Sequence, residues 1–403
     1  MPWVKFPSSP IDLAACLMKG EKMSARKSLI LALAVLPCAF LKIQAQESGL
    51  LLKDWAPLSQ MVVKQTRVLK PKFPVIDVHN HLALFRGLDS LAYHLSEMDK
   101  AGVWKCVSLD GFHNTDLFQS WRKIGEDFFK EHLAACKAVA PERFLVFYVP
   151  YYEKIDEPQF GEKEAAKLEE AVKLGARGLK IHKILGLYLK DKSGRYVPVD
   201  DPRFDPIWAK CGELGIPVMI HVSDPKAFFT PVDRFNERYD ELGEHPDWAF
   251  SDKQFYTKTE LLAQRNRLIA RHPETVFIGA HLGTLPEELD QVGMWLDMYP
   301  NFYVDIDARI SELGRQPYTA RKFMIKYQNR VMFGTDAAPD AELYRTYYRF
   351  LETDDEYFDY SNGLFNQGRW KIYGLYLPDE VLEKIYNKNA LKIFSMYKGP
   401  KAS

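Results

Sequence analysis

Histidine and aspartate recur at the ends of short apolar runs in this chain. His79 and His81 close PVIDVHNH (74–81), His182 closes GLKIH, His221 closes PVMIH, His281 closes VFIGAH and Asp336 closes VMFGTD. In a strand, alternate residues share a face, so His79 and His81 project together, with Asp77 expected on the same side one step deeper. Two neutral imidazoles on one backbone ladder make a half-site for a divalent metal. Taken alone, the pair reads equally well as a buried strand end that meets water. One histidine ending an apolar strand is more often a satisfied core residue, but several separate strands ending this way point to shared metal or acid–base chemistry. His113 lies just beyond another such run, Lys105–Asp110. His94, His132, His245 and His272 fall in helical or loop patterns and are expected to be surface or packing residues.

The elements that must bring these residues together follow from the spacing. Strands are expected at Val75–His81, Lys105–Asp110, Phe144–Pro150, Gly178–His182, Pro217–His221, Val276–His281, Phe302–Asp307 and Val331–Asp336. They are largely apolar rather than alternating, as when helices cover a parallel sheet. The gaps leave room for a crossover helix each, for example Leu88–Ala101 and Glu162–Leu174. Thr284 with Glu287 reads as a capping box with Pro286 in the first turn. Eight such units predict a (β/α)8 TIM barrel, with all the histidine-bearing strand ends at one mouth. A doubly wound sheet is the rival, but no glycine-rich phosphate loop follows the first strand. Val222–Phe255 interrupts the rhythm as an extended aromatic and charged loop after the fifth strand. It is expected to act as a lid or specificity loop, with packing of its aromatics on neighbouring helices as the alternative.

Composition bounds the partners. The 54 basic and 54 acidic side chains balance, and without a dense basic run nucleic acid is not the expected partner. A small-molecule substrate is. Arg26-Lys27, the apolar run Ser28–Leu41 and Ala45 form the pattern of a secretory signal peptide, Met23–Ala45, after an upstream extension at residues 1–22. An apolar run this short is not expected to span a membrane in the mature chain. Residues 46–73 then form an N-terminal segment and 74–396 the catalytic domain, exported to a periplasm. Outside the leader, Cys106, Cys136 and Cys211 give neither a disulfide framework nor a thiolate metal site.

Three imidazoles and a carboxylate suit Zn²⁺ or a similar ion, with a position left for water or substrate. The segments IDVHNH (76–81), GLKIH (178–182), MIHVSD (219–224), FIGAHLG (277–283) and FGTD (333–336) resemble the amidohydrolase superfamily, in its amidohydrolase-related branch of metal-dependent barrel hydrolases and decarboxylases. The ending LPDEVLEKIYNKNALKIF (377–394) is similar to that family's terminal helices, so extra C-terminal helices are expected. The resemblance implies one divalent ion held by His79, His81, His221 and Asp336, with Asp336 as ligand or general base and His281 as catalytic partner. Lys180, the candidate for a metal-bridging residue, is expected a layer below the ion, paired with Asp77 as a supporting residue. His182, Arg234 and Arg309 are candidate substrate contacts, the arginines by gripping a carboxylate. The reaction implied is hydrolysis of an ester, lactone or amide by metal-activated water. Decarboxylation of an aromatic or unsaturated acid is the alternative, and an exported, non-catalytic binding protein the least favoured. A homo-oligomer is compatible with the sequence.

Overall fold

A computed structural model of the protein describes residues 49–51, 54, 55, 57–83, 87–112, 128–361 and 367–398. The expected leader, Met23–Ala45, and His113 lie outside the described residues. The chain divides into two units. In Met1–Val62, the described apolar side chains, among them Trp55, Leu58 and Met61, are exposed. Val63–Ser403 carries the eight strands.

These are β1 (Val75–Asn80), β2 (Val103–Phe112), β3 (Phe144–Val149), β4 (Leu179–Ile181), β5 (Val218–Ile220), β6 (Phe277–Gly279), β7 (Phe302–Asp305) and β8 (Val331–Met332). They pair in parallel in sequence order. Closure comes from a parallel bridge between Asn80 and Ala337 and from the Val78 amide donating to Phe333 O at 3.0 Å. Helices follow the strands in turn: α1 (Leu91–Ala101), α2 (Phe128–Val139), α3 (Phe160–Leu174), α4 (Asp205–Leu214), α5 (Lys258–Arg271), α6 (Leu289–Met298), α7 (Pro317–Lys326) and α8 (Ala341–Glu352). This is the (β/α)8 barrel expected from the spacing. Among the described residues no helix is long and apolar enough to cross a membrane.

The strands read as continuous apolar runs because both faces are covered. Ile76, Val78, Val107, Leu109, Phe147, Met219, Ile278, Tyr303 and Met332 fill the barrel, while the other faces join the larger cluster shared with the helices. The terminal segment from Asp379 to Phe394 closes the barrel's lower end: Ile393 and Phe394 join the interior cluster, and Asn389 Nδ2 donates to Val331 O at 2.7 Å. The site therefore has only the upper end available.

One local expectation differs. The capping box at Thr284 and Glu287 does not form. Thr284 has φ of 60°, its amide donates to Ala280 O at 3.0 Å, and α6 starts later, at Leu289. The turn that carries His281 inward consumes the residues that would have capped the helix. A capping box of that type instead opens α5, between Thr257 and Glu260.

The long loop after β5 packs its aromatics. Phe228, Leu242 and Phe250 bury themselves with Leu187 and Leu261 in a separate small core, flanked by Phe229, Trp248 and Phe255. Arg238, also from this loop, is fully buried, bonded to Glu241 at 2.8 Å and to Glu312. The aromatics thus pack as the alternative given for this loop has them, and the tip around Val232–Phe235 is exposed.

Candidate metal centre at the barrel mouth

β1 is irregular where it matters. Its register with β2 shifts between Asp77 and Asn80. Ile76 and Val78 point into the barrel, and the irregularity lets His79 turn inward after them. Strict alternation fails here, so Asp77 does not lie beneath His79. It faces α8, accepting from Tyr344 OH at 2.9 Å, Thr335 Oγ1 at 2.7 Å, Asn80 Nδ2 at 3.1 Å and the His79 amide at 3.1 Å. Burial raises its carboxyl to about 6 against the pull of those donors. The expected pairing with Lys180 is therefore corrected: Asp77 fastens the end of β1 to β8 and α8. Tyr344→Phe removes one of these bonds and should cost about 1–2 kcal/mol in urea unfolding, without loss of bound metal.

Lys180 sits at the level of the histidines. Its Nζ lies 3.3 Å from His79 Nε2, and burial lowers its pKa although Asp336, Asp307, Asp305 and Asp110 oppose that. His79 Nδ1 meets Asp305 Oδ2 at 3.0 Å and Asp307 Oδ2 at 2.9 Å, while its Nε2 lies 3.2 Å from Asp336 Oδ1. His81 repeats the pattern: Nδ1 to Asp110 Oδ1 at 2.6 Å, Nε2 to Asp336 Oδ1 at 3.0 Å. In both rings one nitrogen is held by a buried carboxylate and the other converges on Asp336. Such a carboxylate–imidazole pair is how ligating histidines are commonly oriented.

His221 has Nε2 positioned to donate to Ser223 O at 2.9 Å, which leaves the lone pair on Nδ1 in the neutral ring. Its ring lies 4.3 Å from that of His281. The His281 amide donates to Asp305 Oδ1 at 2.9 Å and Asp307 Oδ1 at 2.6 Å. Its Nδ1 faces Asp307 Oδ2 at 2.9 Å, and its Nε2, 3.8 Å from Asp336 Oδ2, has no hydrogen-bond partner among the described residues. His182 stacks against Phe112 with centroids 5.3 Å apart, and against His81 at 6.2 Å.

The backbone is bent to make this arrangement. His281, Leu282, Ala308 and Asp336 all have φ between 50° and 60°. Such left-handed non-glycine residues cost on the order of 1–3 kcal/mol each and gather where a site demands them. Gly334 permits the closest approach: a Cβ there would lie 3.0 Å from that of His79 and 3.1 Å from that of Asp307.

Charge explains the protonation states. Burial opposes ionisation throughout. Asp307 and Asp336 nevertheless hold His79 well above its usual pKa, and Asp110 with Asp336 lifts His81 to about 9. Burial with Asp307 pushes Asp305 far up, whereas His281 and His79 keep Asp307 low against its burial. Asp336 is held well below the carboxylate range by His79 and His81, again against burial. Burial dominates at His182, His221 and His281, whose pKa values fall.

His79, His281, Asp307 and Asp336 each offer a ligand atom within 4.8 Å of the others, a candidate metal-binding group. The donor set fits a divalent cation, because several buried carboxylates face a single ammonium and the buried His281 Nε2 lacks a partner. The structure also brings His81 onto Asp336 and His221 against His281. Asp110, Asp305 and Asp307 were not read from sequence as parts of the site. The signal was their position at the ends of the second and seventh strands, with Asp305 and Asp307 on the face also carrying Arg309. Arg234 lies elsewhere, exposed on the loop and stacked on Phe235 at 4.7 Å. Arg309 is buried, with 5% of its surface exposed.

The sequence model of the Amidohydrolase family matches residues 155–396. None of the curated proteins matches the chain. Among solved structures, 2,6-dihydroxybenzoate decarboxylase from Rhizobium superposes with TM-score 0.50 at 17% identity, over 80% of this chain and 99% of that one. Dihydroxybenzoic acid decarboxylase from Polaromonas sp. JS666, which holds manganese, gives 0.49 at 17% identity, over 80% and 97%. 4-Oxalomesaconate hydratase from Rhodopseudomonas palustris gives 0.47 at 15%, over 80% and 96%. At these identities the likeness is one of fold.

Proposed function

This chain belongs to the amidohydrolase family, and from that premise we propose that it is a metal-dependent hydrolase acting on an ester, lactone or amide of a small organic molecule. The observation that carries the reading is the convergence of His79 Nε2 and His81 Nε2 on Asp336 Oδ1, at 3.2 and 3.0 Å. Asp336 keeps 28% of its side chain exposed, whereas His79, His281 and Asp307 are buried. It is the member of the group that water and substrate can reach.

One divalent ion, zinc by its donors, would be held by His79, His81, His221 and Asp336. His79 and His81 have their Nδ1 held by carboxylates and His221 its Nε2 by a carbonyl, so the opposite nitrogen of each is the one that would meet an ion, at His79 and His81 after giving up the proton that the aspartates favour there. Asp307 reaches both His79 Nδ1 and His281 Nδ1 through Oδ2 at 2.9 Å, which suits it to orienting the two rings. When bound, such an ion polarises a carbonyl and lowers the pKa of water from about 15.7 toward 7. Asp336 takes the proton from the attacking water. His281, neutral through burial and with Nε2 near Asp336, carries that proton to the leaving group. His182, stacked beside His81 and Phe112, borders the place where the substrate lies.

Decarboxylation of an aromatic or unsaturated acid is the second reading. It is favoured by the same Asp336–His281 pair, which could deliver a proton to carbon as readily as to oxygen or nitrogen. The name of one similar structure accords with it. A screen of lactones, esters, amides and carboxylated aromatics in ¹⁸O-labelled water separates the two. Hydrolysis puts one solvent oxygen into the acid product; release of CO₂ with no label incorporated contradicts it. We also place the enzyme in the periplasm, on the leader pattern Met23–Ala45, so the exported protein should begin at Gln46 on N-terminal sequencing.

A further inference from the structure

We propose that Arg309 is the anchor for a non-reacting carboxylate of the substrate, so that this enzyme's substrates are small organic acids. The inference rests on the reading of the mouth as an enzyme centre.

Arg309 stands two residues after Asp307, beyond a turn locked from three sides. The Ala308 amide donates to Tyr347 OH at 2.9 Å, and Ala308 O accepts from Gln367 Nε2 at 3.1 Å and from Arg309 Nη1 at 3.0 Å. That last bond uses one of the five N–H donors of a guanidinium. Arg309 Nε is buried with no hydrogen-bond partner, and among the described residues no acid lies within ion-pairing distance of Arg309. A guanidinium taken out of water without an acid is costly. The acids in its vicinity are engaged already: Arg238 binds both Glu241 and Glu312, and Ser311 Oγ donates to the second oxygen of Glu312 at 2.8 Å.

Its location suits a substrate contact. Arg309 follows Asp307, whose carboxylate meets His79 and His281, and precedes Glu312, which pairs with Arg238 of the loop after β5. Along the chain it therefore stands between a residue of the metal centre and one tied to that loop. A planar fork with idle donors matches a carboxylate edge. A phosphate dianion would bring more negative charge toward Asp336 and the neighbouring buried aspartates, which disfavours it.

Isothermal titration of the zinc-loaded protein with benzoate, benzamide and inorganic phosphate tests the assignment. Benzoate should bind about tenfold or more tightly than benzamide, and Arg309→Gln should weaken benzoate by about 30-fold while leaving benzamide and zinc content unchanged. Arg309→Lys, which keeps the charge and loses the fork, should weaken benzoate by about three- to tenfold and serves if the glutamine variant does not fold. Benzoate affinity within twofold of wild type in both variants overturns the proposal. So does equal binding of benzoate and benzamide, tighter binding of phosphate than benzoate, or no benzoate binding at millimolar concentration. Arginine-dependent benzoate binding in a protein that transfers no solvent oxygen would defeat the hydrolase reading and leave this subsite standing. Solvent-oxygen transfer with benzoate binding unaltered in Arg309→Gln would do the reverse.

Discussion

Asp336→Asn should lower kcat by about 10³–10⁴-fold while the protein still folds. The side chain meets His79, His81 and His281 at 3.2, 3.0 and 3.8 Å and is the partly exposed member of the group. Its carboxylate is kept ionised by His79 and His81 against the effect of burial, so the unprotonated form that a base needs is the one present across the ordinary pH range. Asparagine preserves the volume and the φ of 60°, a conformation it tolerates better than most residues. What it loses is charge and basicity. Kinetics with excess zinc separate the two roles. If Asp336 were a ligand alone, saturating metal would restore kcat; as a base it would not. Wild-type kcat in the variant at saturating zinc would remove Asp336 from the proton transfer.

The largest stability effect is expected away from the chemistry, at Arg238. This residue lies fully buried between Glu241 and Glu312, with its guanidinium 5.6 Å from the Trp370 ring. Arg238→Met leaves two carboxylates in the interior without their cation and should cost about 3–5 kcal/mol by urea or thermal unfolding. The penalty comes from stranded charge rather than lost packing. Adding Glu312→Leu to Arg238→Met should therefore recover part of the loss. A double variant less stable than the single one would contradict this.

The same pair predicts a pH dependence. Against the cost of burial, Arg238 lowers Glu312 from 4.5 to about 2. A carboxyl depressed by folding contributes stability that is fully present above about 4.5 and is lost as pH falls toward 2. Over that window its share should amount to roughly 3 kcal/mol. Urea midpoints measured between pH 6 and pH 3 should fall more steeply in wild type than in the double variant.

Much of the architecture was legible because the strands are nearly continuous apolar runs, a pattern that parallel sheets covered on both faces impose. The residues ending those runs, His79, His81, His182, His221, His281 and Asp336, gather at the mouth because every parallel strand of a barrel ends there. Less legible was anything that depends on a break in local geometry. The register shift between Asp77 and Asn80 turns Asp77 toward Tyr344, and alternation alone could not show it. The left-handed turn from His281 to Thr284 displaced a helix cap that the spacing of Thr284 and Glu287 predicts. Asp110, Asp305 and Asp307 orient imidazoles on other strands, and that relation lies in the register between strands rather than in their order. Arg238 shows the same limit: its acidic partners include Glu312, far along the chain on the short helix Ile310–Arg315. Arg234 and Arg238 are both loop arginines in sequence, and only packing separates the exposed one from the buried one.

Metal content tests the central claim most directly. Purified wild-type protein should carry about one equivalent of zinc per chain by plasma mass spectrometry. His79→Ala and His221→Ala should each retain less than about a tenth of that, because each loses one of the four donors and leaves three. His281→Ala should keep its zinc and lose activity. A wild-type chain that binds no divalent metal would contradict the account. Two equivalents lost together in Lys180→Ala would do so as well, since that lysine would then bridge a pair of ions.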